Sequence, residues 1–280
     1  MQETKPTVLV LTALALEYTA VRAHIEGRED RTHPGNGTIV EVGHLPGTPW
    51  QVAAAELGEG AKNTAALTAS LIGWLRPEAV LFVGVAGGLK EDIALGDVVV
   101  GTKVYGVQTG KQTPEGLLNR PETWHGSHAL LSAARAAVRD LPDVRAHFKP
   151  IATADLVLAD AGSEIARHVR ERYNDAAAFE MEGAGAAHAA HVEGRQVLVV
   201  RGISDRADAH KASADASGSQ QRAAVQAAAV AVALLHKYRP RDGRPTDSEE
   251  GPQGRYGGDH IDFRGAVFHG PVTGKQTGDR

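Results

Sequence analysis

The sequence contains no cysteine, which removes disulfides, thiolate metal sites and cysteine nucleophiles together. It has no excess of positive charge either. Thirty Lys and Arg stand against 34 Asp and Glu, for a formal net charge of −4, so there is no electrostatic footprint for DNA or RNA. No apolar run approaches the roughly 18 residues that a membrane-spanning helix needs, and Met1 to Pro6 carry no basic-then-apolar leader. A cytoplasmic protein with neither nucleic acid nor membrane as partner is the expectation. What is present is ordinary globular material: 280 residues, 42% hydrophobic and 23% charged, enough for one large core plus an appendage.

The apolar pattern alternates between strands and helices. "TVLVLT" (7–12) predicts a strand and residues 14–25 a helix. Strands are expected at 37–42 and 50–56, then the bend "LGEGAKN" and a helix over 63–75 that Pro77 stops. Residues 79–83 are apolar throughout, which predicts a strand covered on both faces and ending in the glycine-rich turn "GVAGGL" (84–89). Another strand is expected within 93–105, and the polar, Gly- and Pro-punctuated stretch 106–124 predicts a long surface loop. A helix at 127–139, a strand at 150–157, a helix at 162–172, a helix after residue 182, a strand at 196–202 and an Ala-rich helix at 217–237 complete the body. Such alternation implies an α/β layer fold. After Tyr238 the composition changes: residues 239–259 are rich in Pro, Gly and charge, which predicts a flexible linker. Residues 260–280 turn apolar again around Ile261, Phe263, Val267 and Phe268. They suggest a short tail, either a small β-hairpin or a segment docking to a protein partner, or else a tail without function. The domain reading is therefore 1–238, 239–259 and 260–280.

Three stretches point to chemistry. Glu17 falls on the first turn of the first helix, where an acid also suits a helix N-terminus. "GVAGGL" lets backbone approach a ligand, or simply turns the chain. In "FEMEGAGAAHAAHVEGRQVLVVRGISDRAD" (179–208), Glu180 and Glu182 precede a helix and Asp205 follows the last apolar strand, at the carboxyl ends where open α/β sheets bind ligands. Two further features have plainer readings. His188 and His191 are spaced like a metal pair, but no third ligand is placed beside them, so a structural or surface role is expected. Lys111, Arg120, His125, Arg206, His210 and Lys211 are solvated loop charges, or else the lining of a pocket mouth suited to a 5′-phosphate, as in AMP or ATP.

In order along residues 7–238, the Glu17 segment, "GEGAKNTAA", "FVGVAGGL", "IALGDVVV", "PIATADLVLAD", "FEMEGAG" and "RGISDRAD" resemble the nucleoside phosphorylase/nucleosidase superfamily, and within it the methylthioadenosine/S-adenosylhomocysteine nucleosidases. The resemblance implies a three-layer α/β/α sandwich with a central mixed sheet, no cofactor and no metal. It also implies a homodimer in which residues 106–124 help close the 5′ side of a neighbouring pocket. Cleaving an N-glycosidic bond passes through a cationic sugar and needs an acid for the departing base, an activated water and groups that hold the ribose. By resemblance, Asp205 protonates the purine, Glu17 activates water, and Met181 and Glu182 hold the ribose with Glu180 in support. Val85, Gly87, Val157, Leu158 and Ser204 complete the substrate-binding set. Departures from the pattern matter. Phosphorolytic members hold phosphate with an arginine and a serine where this chain has Phe82-Val83-Gly84-Val85, and "TALALE" lacks the glycine and arginine of their first loop. Hydrolysis is therefore expected rather than phosphorolysis. Val85 replaces the nucleosidase serine, and Val157 falls where an aromatic would stack on the purine, with Leu158 offering backbone contacts. The expected function is release of a purine, adenine foremost, from a nucleoside, thioether nucleoside or nucleotide. The alternatives are a nucleotide-depleting or ligand-sensing effector docked through its tail, and a phosphorylase.

Overall fold

The centre of the fold is set by strands that have no polar face. In the computed structural model, which describes residues 5–107, 110–114, 116–158, 160, 162–208, 218–240 and 270, β5 (Ala79–Gly88) is buried everywhere except at Val85. β1 (Thr7–Thr12) and β12 (Gln196–Asp205) are buried beyond their first residue. Such strands need cover on both faces, and their side chains alternate accordingly. Val8, Val10, Leu81 and Val83 enter one apolar cluster, and Leu9, Leu11, Val80 and Phe82 the other. Helices α1 (Ala15–Arg22), α3 (His128–Ala137) and α6 (Ser219–Lys237) cover the first, while α2 (Ala61–Leu75) and α5 (Gly183–Val192) cover the second. The result is the expected three-layer α/β/α sandwich.

The central sheet is mixed. β2 (Glu26–Thr32), β3 (Ile39–His44), β4 (Gln51–Glu56), β6 (Val98–Gly106), β10 (Ala146–Thr153) and β11 (Ala178–Glu180) join the three core strands in the order β11-β10-β6-β12-β5-β1-β4-β3-β2, with β9 (Glu122–His125) on β6. β4, β1, β5 and β12 run parallel, whereas β6 is antiparallel to β12. β11 pairs with β10 and also with β5, so β5, β12, β6, β10 and β11 close into a ring. A separate hairpin, β7 (Gly110–Thr113) and β8 (Gly116–Asn119), stands apart from this sheet. α4 (Glu164–Arg172) buries Ala166 and Val169 in a third apolar cluster with Leu158 and Phe179.

Several expectations are corrected. "GVAGGL" is not a turn: β5 runs through Gly88, and Gly84, Gly87 and Gly88 keep ordinary φ angles. Their missing side chains serve close packing instead. Stretch 106–124 is not one loop, because its Pro and Gly punctuate β7, β8 and β9 and are as much hairpin chemistry as loop chemistry. β2 was not expected; "EGREDRT" is exposed along its whole length and so shows no apolar alternation. β11 is only three residues long, too short for a pattern to register. Residues 93–97 turn through Gly96 at φ +88° before β6 begins.

The chain divides into units of residues 1–240 and 241–280. The expected linker and tail lie outside the described residues except at 239, 240 and 270. No helix among the described residues is long and apolar enough to cross a membrane.

Backbone contact fixes how the helices sit. A β-carbon on Gly185 would lie 2.0 Å from the Ala61 carbonyl oxygen, and one on Gly202 would lie 2.0 Å from that of Ala223. α5 therefore rests directly on α2, and α6 on β12. At its far end α6 is held by Trp50, whose indole stacks on Tyr238 at 5.3 Å and donates to the carbonyls of Leu235 (3.2 Å) and Tyr238 (3.0 Å). Gly202→Ala would have to push α6 off the sheet. We expect it to lower stability by about 3 kcal/mol or more, read as a fall in the urea unfolding midpoint; an unchanged midpoint would contradict this packing.

Candidate active site

Helices that follow strands begin at the strands' carboxyl ends, and four of them converge here. α1 follows β1, α2 follows β4, α5 follows β11 and α6 follows β12. A helix start presents N–H groups without intrahelical partners and a partial positive charge. This end of the sheet therefore favours carboxylates, and the sequence supplies them.

Glu17, the third residue of α1, turns back on its own helix start. Its Oε2 accepts from the backbone N–H groups of Ala13 (2.9 Å) and Leu14 (3.0 Å), and its Oε1 from that of Val85 (2.7 Å). The N-cap, Leu14, has no side-chain oxygen to offer, so Glu17 does the capping. Burial raises its pKa, against the opposing pull of Arg201 and the three backbone donors. Glu180 ends β11 with both oxygens committed. Oε2 accepts from the N–H groups of Glu182 (3.0 Å) and Gly183 (2.7 Å) and from Arg201 Nη2, and Oε1 accepts from the Thr153 hydroxyl. Glu182, the N-cap of α5, accepts from the Gly60 N–H at the start of α2 (3.1 Å) and lies 3.5 Å from Arg201 Nη2. Burial pushes its pKa up to about 7; Arg201 works against this and Glu180 adds to it.

Arg201 joins these acids. It is fully buried on β12, with Nη2 on Glu180 and Glu182, Nη1 3.9 Å from Glu17, and its guanidinium 4.6 Å from the centre of the Phe82 ring. Burial opposes its charge, but the carboxylates of Glu180, Glu17 and Glu182 more than offset that and raise its pKa. Its Nε and Nη1 have no hydrogen-bond partner, which is costly for buried donors unless a ligand or water meets them. Gly84 makes the arrangement possible, since a β-carbon there would lie 2.1 Å from Arg201 Nη1 and 2.4 Å from Glu17 Oε1.

Asp205 ends β12. The Ser204 hydroxyl donates to Oδ2 and the Ala207 N–H to Oδ1, each at 2.8 Å. Ala207 adopts φ +52°, a left-handed conformation that costs a residue with a β-carbon about 1 kcal/mol or more. A β-carbon on Gly87 would come within 2.8 Å of Asp205 Oδ1 and of Ala207.

These groups ring a cavity of about 150 Å³. It gathers the whole set of residues singled out from the sequence: Glu17, Val85, Gly87, Val157, Leu158, Glu180, Met181, Glu182, Ser204 and Asp205. Val157 is 54% exposed at the rim and Leu158 is buried. Among the described residues the aromatic lining is Phe179, opposite Gly87 in the β11–β5 pairing. Sequence reasoning also missed Arg201, Thr153 and Glu59. The signal for Arg201 was present: one arginine inside the otherwise apolar run "VLVVRGI".

Other residues fall away from the cavity. Among the described residues no basic side chain lines it, while Glu17, Glu59, Glu180, Glu182 and Asp205 do. Arg206 instead donates to the carbonyls of Lys90 (3.1 Å) and Ile93 (2.5 Å). Lys111, Arg120 and His125 are exposed, and His210 and Lys211 lie outside the described residues. His188 packs edge-on against Trp124 and His191 is exposed. Among the described residues, no group of three His, Asp or Glu is placed to hold a metal ion.

A family model, "Phosphorylase superfamily", matches residues 7–236. The chain belongs to the phosphorylase superfamily. Among its relatives in this superfamily is the 5′-methylthioadenosine/S-adenosylhomocysteine nucleosidase of Chromohalobacter salexigens, 30% identical over 207 residues that cover 71% of this chain and 83% of that one. The enzyme of the same name from an Exiguobacterium species is 33% identical over 167 residues, 56% of this chain and 69% of the other. In fold, the chain is similar to the Neisseria meningitidis 5′-methylthioadenosine/S-adenosylhomocysteine nucleosidase in complex with methylthio-immucillin-A, with a TM-score of 0.73 and 24% identity over 82% of this chain and 98% of that one. It is also similar to the futalosine hydrolase of Helicobacter pylori, with a TM-score of 0.71 and 21% identity over 82% and 97%.

The buried acids make stability depend on pH in a direction opposite to that of surface carboxylates. Glu182 moves from its ordinary 4.5 to about 7 on folding, so between those values the folded state binds more protons than the unfolded one and stability falls as pH rises. Glu17 adds to the same trend. We expect a loss on the order of 2 kcal/mol between pH 4.5 and 7 in urea titrations, and a shallower slope for Glu182→Gln. A slope as steep in that variant as in the wild type would contradict the assignment.

Proposed function

We propose that the chain hydrolyses the N-glycosidic bond of purine nucleosides, adenine nucleosides foremost, and releases the free base. One observation carries this reading. Three carboxylates from separate elements, Glu17, Glu182 and Asp205, face one cavity beside a buried arginine that keeps two donors unpaired. A departing purine leaves a sugar with oxocarbenium character, and buried carboxylates stabilise that positive charge as it develops.

In this reading Asp205, held at both oxygens by Ser204 and Ala207, donates a proton to N7 of the base. Phe179 and Leu158 supply the apolar walls that receive the base. Glu182 accepts from ribose hydroxyls while Met181 lies against the sugar face. Water is held in the cavity by Glu17. The C1′–N9 bond breaks as the water oxygen bonds to C1′, and the water proton passes to Glu17, whose raised pKa makes it the better base. The released base carries the proton from Asp205, which balances the step.

Phosphate is a poor nucleophile for this site. The guanidinium of Arg201 is already shared by three carboxylates, which leaves an anion no uncommitted counter-charge. The same reading includes a homodimer with residues 106–124 at the contact and a cytoplasmic location, and light scattering tests the dimer. The effector alternative rests on residues 260–280 and gains no support from the described part of the chain.

In phosphate-free buffer, the wild type should release adenine from methylthioadenosine, detected by chromatography. Asp205→Asn and Glu17→Gln should each lower kcat by about 100- to 10,000-fold with the fold retained by circular dichroism. Absence of hydrolysis in the wild type, or full activity in Asp205→Asn, would sink the reading.

A further inference from the structure

The cavity has a polarity along its length that the reaction itself does not require. The strands whose carboxyl ends form its floor stand in the order β12-β5-β1-β4. Asp205 ends β12 and Glu59 lies just past β4. The strands that lead to these two acids flank β5 and β1 on opposite sides, and both acids line the cavity. Glu182 lies next to the turn that carries Glu59, because it accepts the Gly60 N–H. A nucleoside with its base on Asp205 and its ribose on Glu182 therefore directs its 5′ carbon toward Glu59.

Glu59 is presented there by a fixed turn. Gly58 and Gly60, on either side of it, adopt φ +78° and +102°, angles that favour glycine. Asn63 Nδ2 ties the turn to the Leu57 carbonyl at 2.7 Å, and the Gly60 N–H ties it to Glu182. The exposed carboxylate thus stands over the cavity mouth on a braced support. Among the described residues no lysine, arginine or histidine lines the cavity to counter it.

Building on the nucleosidase reading, we infer that Glu59 is a specificity-determining residue. It selects purine nucleosides whose 5′ substituent carries hydrogen-bond donors or positive charge, an ammonium best of all, and it rejects 5′-phosphates. A carboxylate makes its strongest hydrogen bonds to a charged donor, whereas a phosphate entering this cavity meets five acids and, among the described residues, no basic side chain in the lining. AMP and ATP, the nucleotide branch of the sequence expectation, are accordingly the substrates that Glu59 would reject.

The test compares kcat/KM for 5′-amino-5′-deoxyadenosine, methylthioadenosine and AMP in the full-length chain, with Glu59→Gln and Glu59→Leu alongside. In the wild type, the amino compound should exceed AMP by at least about 100-fold. Glu59→Gln should lower the amino-to-methylthio ratio of kcat/KM by about tenfold or more, and Glu59→Leu should lower it further. An amino-to-methylthio ratio that Glu59→Gln leaves unchanged, or AMP cleaved as well as the amino compound, overturns the inference. If none of the three is hydrolysed, the nucleosidase reading falls and calorimetric binding of the same compounds decides the inference. Weaker binding of the amino compound to Glu59→Gln then supports it, and equal affinity overturns it.

Discussion

One guanidinium holds this cavity together. Three buried carboxylates from α1, β11 and the start of α5 would repel one another and push those elements apart. Arg201, reaching from β12 into their midst, makes their proximity tolerable. Helix starts share the work: backbone N–H groups of α1, α2 and α5 end on the same acids. The cluster also imposes conditions elsewhere. Position 84 has no room for a side chain, and a β-carbon at position 183 would crowd Glu180 at 2.9 Å. Two of the glycines in the sequence motifs are thus explained by the space that a charge cluster occupies, not by a need for bending.

This arrangement also separates support from reactivity. Glu180 accepts four hydrogen bonds from protein groups, three of them on Oε2. Glu17 and Glu182 are held less completely and face the cavity, and burial raises the proton affinity of both. Asp205 stands outside the arginine cluster and is oriented by its own neighbours, Ser204 and the left-handed Ala207, so it and Glu17 are held independently.

Much of this was legible in the sequence because it depended on local patterns. The core strands announced themselves as unbroken apolar runs, and the ten site residues were carried by short motifs at strand ends. What was not legible depended on neighbours far along the chain. β2 forms because β3 offers it an edge, although its own residues are polar throughout. β11 exists because it bridges β10 and β5 across a closed ring. The glycines of "GVAGGL" suggested a turn because sequence alone cannot show that Arg201 and Glu17 fill the space beside them. Arg201 itself stood in plain sight, but its meaning required three partners from elsewhere in the chain. Phe179 was not legible for a similar reason: that its ring lines the cavity depends on how β11 lies against Gly87.

α6 connects the two ends of the body. It begins with Gln220 in the cavity lining and ends with Tyr238 stacked on Trp50, and its 19 residues span about 28 Å at the rise of an α-helix. Fraying from its carboxyl end would first have to break the tryptophan clamp before the turn beside the cavity could loosen. The helix therefore acts as a spacer that keeps mechanical disturbance at one end from reaching the other. A probe, tag or surface attached near residue 240 would pull on indole and phenol rings, with the cavity a helix length away.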